Sequence, residues 1–188
     1  MRATTRRSRG RSRRTVTKVA DLASDGALVR MALAGRQEAF AALFDRHRDG
    51  VYRIVRAQIG DGDEALDITQ ECFIAAFQAL SRYDPARPMR PWLARIAINK
   101  CRDWKRRRAV RRFFTLARPL DDATQVADDA AMPDRQAEDR EALKRLQAAV
   151  RCLPTSLREP LILCAIESLS RAEAAGILGL TEKAVEMR

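Results

Sequence analysis

The sequence predicts an all-α protein with two small helical domains joined by a flexible acidic linker. Apolar residues recur with a helical period through most of the chain, and Ala, Leu, Arg and Glu are common while aromatic residues make up only 5%. Residues 114–136 are instead acidic and lack any period. We therefore expect a first domain at 23–113 and a second at 137–188, after a disordered basic arm at 1–22.

The charge balance indicates a polyanionic partner. The 188-residue chain carries 36 Lys and Arg against 25 Asp and Glu, for a net charge of +11. Such an excess favours nucleic acid or an acidic membrane surface. No apolar run approaches the roughly 20 residues that span a bilayer, and no apolar segment follows the basic N-terminus, so we expect a cytoplasmic protein without membrane insertion.

The sequence offers little for metal, redox or cofactor chemistry. Its four cysteines are not in Cys-x-x-Cys pairs and each lies in a helical pattern, which favours buried free thiols. The only histidine, His47, falls on an apolar helical stripe, where a packed side chain is expected rather than a ligand. We expect no metal, no cofactor and no catalytic residue.

The first domain contains three predicted helices before a proline-containing loop at 81–90. The first two cover about 25–34 and 36–58 and carry apolar stripes. Asp61 followed by Glu64 is a capping-box signal that begins the third, which should reach about Leu80. A narrow polar edge on the third helix is either ordinary surface or a docking edge for a basic partner; its residues are Asp67, Gln70, Glu71 and Gln78.

The next predicted helix, 91–108, is the one around which the first domain is organised. It opens with Pro91, and its apolar face follows a helical period. A second face carries Arg95, Asn99, Arg102 and Arg106. Cations suit phosphates, an amide can contact a base edge, and the two tryptophans offer flat rings for unstacked bases. A merely solvated basic face is the alternative.

The second domain predicts a helix-turn-helix. A first helix from about Gln136, with Leu143 and Leu146 on its apolar side, stops at Pro154. Ser156 with Glu159, and Ser170 with Glu173, are capping-box spacings, and Pro160 is expected in a first turn. The last two helices meet at Gly179 and Leu180, and Thr181 caps the second of them. Other αα-hairpins have the same pattern.

With these features in order, residues 25–188 resemble the extracytoplasmic-function (ECF) sigma factors, a group of bacterial transcription initiation factors. The segment 63–73 is similar to the polymerase-binding helix of sigma region two, and 91–99 with Asp103 and Arg106 is similar to its promoter-melting helix. The pairs Leu153-Pro154 and Glu159-Pro160, followed by the helix-turn-helix, resemble region four.

The resemblance implies a protein that binds core RNA polymerase and promoter DNA without covalent chemistry, held in check by an anti-sigma factor. It places Asp67, Gln70 and Glu71 on the clamp helices of the largest polymerase subunit. The implied minus-ten contacts are Arg82, Tyr83, Trp92, Arg95, Asn99, Arg102, Asp103, Lys105 and Arg106. The implied minus-thirty-five contacts are Thr181, Glu182, Lys183, Ala184, Glu186, Met187 and Arg188.

Two alternative functions are possible, and the C-terminus of the chain differs from the family pattern. A stand-alone helix-turn-helix regulator would bind duplex DNA, but it would need neither the polar edge nor the aromatic, basic helix. A nucleic-acid-processing enzyme would need a metal cluster or a nucleophile with its base, and the sequence presents neither. The chain ends at Arg188, inside the predicted recognition helix, so we expect either further basic residues beyond it or an incomplete minus-thirty-five reader.

Overall fold

The computed structural model describes residues 23–115 and 135–188, and every regular element in these two ranges is helical. The helices are α1 (Asp25–Leu33), α2 (Gln37–Ile59), α3 (Gly62–Gln78), α4 (Met89–Thr115), α5 (Arg135–Cys152), α6 (Thr155–Leu161), α7 (Arg171–Leu178) and α8 (Glu182–Glu186). A 3₁₀ turn lies at Leu80–Arg82 and a π-helical segment at Ile162–Ile166. The predicted all-α class is confirmed. The basic arm and linker residues 116–134 lie outside the described residues.

Helices α1 to α4 pack into a bundle that forms the first domain. Its helix ends follow local rules: Ser24 caps α1, Asp61 caps α3, and Gly60 ends α2 in the left-handed conformation at φ 89°. His47 is buried, and its Nε2 lies 3.1 Å from Asp25 Oδ2. The histidine therefore ties α2 to α1, as a packed side chain should.

Helix α4 is longer than predicted at both ends. It begins at Met89, so Pro91 is its third residue rather than its first, although an N–H at that position has no intrahelical partner anyway. It runs to Thr115, and α5 begins at Arg135. The first two residues of the predicted linker, 114–115, and its last two, 135–136, are therefore helical.

In the second domain both predicted ends of α7 and the predicted start of α8 are correct. Helix α8 ends at Glu186 and does not continue to Arg188, and the predicted start of α6 is wrong. Ser170 and Glu173 form a reciprocal capping box, and Gly179 ends α7 at φ 70°. Helix α6 instead follows Pro154 without a side-chain cap, and Pro160 lies inside it rather than in its first turn. Glu159 cannot complete a capping box with Ser156 because its carboxylate is bonded to Arg102 of the first domain.

Several residues predicted to be buried are exposed. Leu143 and Leu146, on the predicted apolar face of α5, are 53% and 61% exposed. Leu66, an apolar residue of α3, is also exposed. All four cysteines are free, but only Cys72 and Cys101 are buried.

The two domains are packed against each other. Helix α4 contacts α7, and α2 contacts both α5 and the π-helical segment. The buried apolar side chains of both domains form one continuous cluster. None of the described helices has the length and apolar character needed to cross a bilayer, and within the same ranges no three His, Cys, Asp or Glu side chains are grouped to hold a metal ion.

Candidate nucleic-acid interface

Helix α4 separates an apolar face from a cationic one, as its sequence period predicts. Leu93, Ala97 and Cys101 are buried in the bundle, whereas Arg95 and Asn99 are exposed. Neither exposed side chain makes a hydrogen bond or ion pair within the part of the chain that the structure describes. An amide that satisfies no local backbone group is available to an external partner.

An aromatic pair lies beside this face, at the start of α4. The rings of Tyr83 and Trp92 have centroids 5.0 Å apart. Tyr83 is buried and its hydroxyl donates to the Arg87 carbonyl, while burial, together with nearby carboxylates, raises the pKa of that hydroxyl. A cavity of roughly 530 Å³ opens there, lined by Arg82, Tyr83, Trp92 and Arg95 from the first domain and by Glu173, Gly176 and Ile177 of α7.

The other cations predicted on α4 already have partners. Arg102 donates from Nε and Nη2 to the two carboxylate oxygens of Glu159, at 2.9 and 2.5 Å, and this hydrogen bonding raises the pKa of Arg102. Lys105 donates to Gln58 Oε1 at 2.6 Å, and burial lowers its pKa, as does the charge of Arg158. Asp103 and Arg106 form a close ion pair along the helix.

The three predicted polymerase-binding residues lie on α3, near the cationic end of α4. Asp67 and Gln70 are exposed, and neither has a hydrogen bond or ion pair among the described residues. Glu71 is half-buried, with its Oε2 3.5 Å from Lys100 Nζ and 3.7 Å from Arg107 Nη2. Asp67 and Glu71 share a cleft of roughly 740 Å³ between α3 and α4, whose other walls include Trp104, Arg106 and Arg107.

Two family matches and several relatives agree with this arrangement. Residues 43–111 match the family described as Sigma-70 region 2, and residues 143–188 match Sigma-70, region 4. RNA polymerase sigma factor CnrH of Cupriavidus metallidurans is 40% identical over 88% of this chain and 88% of its own length. ECF RNA polymerase sigma factor SigM of Mycobacterium tuberculosis is 30% identical over 88% of this chain and 79% of its own. The chain belongs to the ECF RNA polymerase sigma factors.

A solved structure agrees with this membership. The structure of CnrH in complex with the cytosolic domain of CnrY has a TM-score of 0.64 and 34% identity, covering 87% of this chain and 88% of that one. The protein is thus a sigma factor that gives RNA polymerase its promoter specificity. These matches do not favour the stand-alone helix-turn-helix regulator. The family is one of transcription regulators.

The sigma factor presents its predicted minus-thirty-five residues on and around α8. Thr181 caps this helix by accepting from the Ala184 N–H at 3.2 Å. Ala184 is half-buried beneath the exposed residues, and Glu186 pairs with Arg171 of α7 at 2.9 Å. The exposed members of the set are Thr181, Glu182, Lys183, Glu186, Met187 and Arg188.

Sequence reasoning missed three charged residues of the sigma factor that meet between the domains. Glu167, just after the π-helical segment, is only 4% exposed and lies against Arg53 of α2 and Arg90 of α4. A signal was available, since Glu167 is the one acid in the apolar run 161–169. A carboxylate buried in such a run needs a charged or hydrogen-bonding partner.

Proposed function

We propose that residues 23–113 work as sigma region two, residues 137–188 work as region four, and α4 captures the unwound minus-ten element. One observation carries this proposal: the exposed Arg95 lines a cavity together with Tyr83 and Trp92, and the exposed Asn99 lies one turn further along α4. Cations can hold the phosphates of a single strand while aromatic rings stack its bases. A duplex-only protein would have no use for such a cavity.

The contacts divide by chemistry. Arg82, Arg95, Arg102, Lys105 and Arg106 carry donors suited to phosphates, and phosphate contacts fix position without specifying sequence. Asn99 can both donate to and accept from a base edge, so it is the proposed specificity residue. Tyr83 and Trp92 shape the base cavity, and Asp103 orients Arg106 through their ion pair.

Helix α8 is the proposed reader of the minus-thirty-five element. Its capped N-terminus and its exposed residues from Thr181 to Arg188 would enter the major groove, with the first helical residues nearest the bases. The preceding helix, α7, would cross the backbone, as the first helix of a helix-turn-helix does.

The exposed edge of α3 is the proposed dock for the clamp helices of core polymerase. Asp67 and Gln70 face outward and have no partner among the described residues, so a basic partner could pair with them without disturbing the bundle. Glu71 is less available because it faces Lys100 and Arg107. It would contribute by orienting those cations and through its partly exposed carboxylate.

The test is charge reversal on this edge, with transcription and polymerase binding as readouts. Asp67→Lys combined with Gln70→Lys should abolish co-elution with core polymerase and run-off transcription, because like charges would face the basic partner. Gln37→Lys with Glu38→Lys is the matched control, because both residues are exposed at the start of α2, away from this edge, and their substitution changes the charge by the same amount. Normal co-elution of the double variant would overturn the docking proposal, and so would an equal loss in the control.

The remaining proposals concern partners and setting. CnrH, a relative of known structure, was solved in complex with the cytosolic domain of CnrY. By analogy we propose an anti-sigma factor as the regulator of this chain. We place its action in the cytoplasm, where it would meet core polymerase, and assign it no covalent chemistry, since its work is binding and strand capture.

A further inference from the structure

Glu167 lies deeply buried between the two domains. Its Oε1 accepts from Arg53 Nε at 2.8 Å, and its Oε2 lies 3.3 Å from Arg53 Nη2 and 3.6 Å from Arg90 Nη2. Arg90 also donates to the Glu167 backbone carbonyl at 2.6 Å. Both arginines belong to the first domain and are about half exposed, so the acid is enclosed while its partners remain near solvent.

Glu159 repeats the arrangement at a second place. It is 4% exposed, and both of its carboxylate oxygens accept from one edge of Arg102. Arg102 is half exposed and is one of the residues expected to hold DNA phosphates. Two acids of the second domain are therefore paired with guanidinium groups of the first domain.

These geometries are the ones by which arginine binds a phosphate. A guanidinium presents a rigid fork of donors that fits two oxygens of a carboxylate or of a phosphate equally well. An acid and a DNA phosphate therefore compete for the same edge of the same side chain. Arg102 is the clearest case, because its proposed minus-ten role needs the donors that already bond Glu159.

We propose that Arg53 and Arg90 form a second binding site for a phosphate of the promoter strand, and that Glu167 occupies it in the free protein, as Glu159 occupies Arg102. This inference rests on the proposed function. In the closed arrangement α7 also walls the Tyr83 and Trp92 cavity, so the two carboxylates hold the second domain over the minus-ten surface. DNA binding then requires that both acids give up their arginines.

The first test removes the two acids while keeping their shape. Glu159→Gln with Glu167→Gln should open the free protein, seen as a larger radius of gyration by small-angle X-ray scattering. It should also bind a single-stranded minus-ten oligonucleotide about tenfold tighter, if the open fraction rises from about a tenth to near one. Each single substitution should give a smaller gain in oligonucleotide affinity. If the double variant loses its helical circular dichroism signal, the two single variants provide the test.

The matched control for each single substitution is Glu141→Gln, which changes the charge equally within the same domain. Glu141 pairs with Arg145 of its own helix. An equal gain of affinity in this control would overturn the inference. So would a Glu159→Gln with Glu167→Gln variant that opens but does not bind the oligonucleotide more tightly.

The second test addresses the new phosphate site. In the opened background, Arg53→Gln with Arg90→Gln should weaken oligonucleotide binding and reduce its salt slope by about 0.7, the value for one single-strand phosphate contact. An unchanged slope would eliminate the site. Run-off transcription by the unaltered chain with core polymerase is measured in parallel, and its failure would count against the proposed function. Oligonucleotide binding by the free variants tests only the inference about Glu159 and Glu167.

Discussion

Replacing Asn99 by alanine should change which promoters are used without changing how well the protein folds. The side chain is exposed and makes no hydrogen bond among the described residues, so its loss should alter the free energy of unfolding by no more than about 0.5 kcal/mol. A lost base contact is worth about 1–3 kcal/mol of discrimination. At tenfold per 1.4 kcal/mol, that is a roughly 5- to 150-fold loss of preference at one minus-ten base.

The assay is transcription by core polymerase from promoters that carry every single-base change in the minus-ten element. Arg95→Ala is the control, because Arg95 lies one turn away on the same face and also lacks a partner in the described structure. It should weaken all promoters about equally and lower the salt slope by about 0.7. Arg102 is a poor control, because its loss would leave the buried Glu159 unpaired. Equal loss on all promoters by Asn99→Ala, or base-selective loss by Arg95→Ala, would refute these roles.

Two further predictions concern reactivity and stability. Burial raises the pKa of Cys72 and of Cys101 to about 12, so at pH 8 about one in 10⁴ of each is thiolate. Ellman's reagent should therefore modify the exposed Cys152 quickly, and should modify Cys72 and Cys101 only on unfolding or at much higher pH. Rapid modification of all four cysteines would contradict the packing. Ser170→Ala should cost about 1 kcal/mol in urea unfolding through loss of its capping box, whereas Ser156→Ala, which removes no cap, should cost nothing measurable; equal costs would contradict the observed caps.

The features that sequence predicted well are those determined within one helical turn. Ser170 caps α7 through the N–H of the residue three positions on, and Thr181 caps α8 in the same way. Gly179 supplies a left-handed conformation at the end of α7. Each depends on neighbours in the sequence, so the spacing alone is informative.

The features that sequence missed depend on residues far apart in the chain. Glu159 has the spacing of a capping residue, but its carboxylate bonds a guanidinium 57 positions earlier. A charge-assisted pair with two hydrogen bonds outweighs one exposed cap, so the local rule is overruled. Leu143 fits an amphipathic period yet remains exposed, because periodicity identifies an apolar face without identifying what covers it.

The candidate interface divides in the same way. The period of α4 predicted which residues face outward, and Arg95 and Asn99 do so. It could not predict that α7 would lie along the adjacent cavity, since the helices are joined through a linker without recognisable pattern. The cationic surface of α4 was therefore predictable from sequence, whereas the packing of α7 beside it was not.

The ion pairs between the two domains suit a contact that is proposed to open when DNA binds. A buried ion pair adds little net stability, because desolvation offsets most of the attraction, but removing one partner alone is costly. The proposed exchange with DNA would avoid that cost: a phosphate would replace the carboxylate at Arg102, and the released Glu159 would return to water. The apolar side chains that the two domains share must still be exposed on opening, and DNA offers no equivalent replacement for that contact. In the proposed exchange, the carboxylates at Arg53, Arg90 and Arg102 therefore make the ionic part of the contact reversible when the promoter strand arrives.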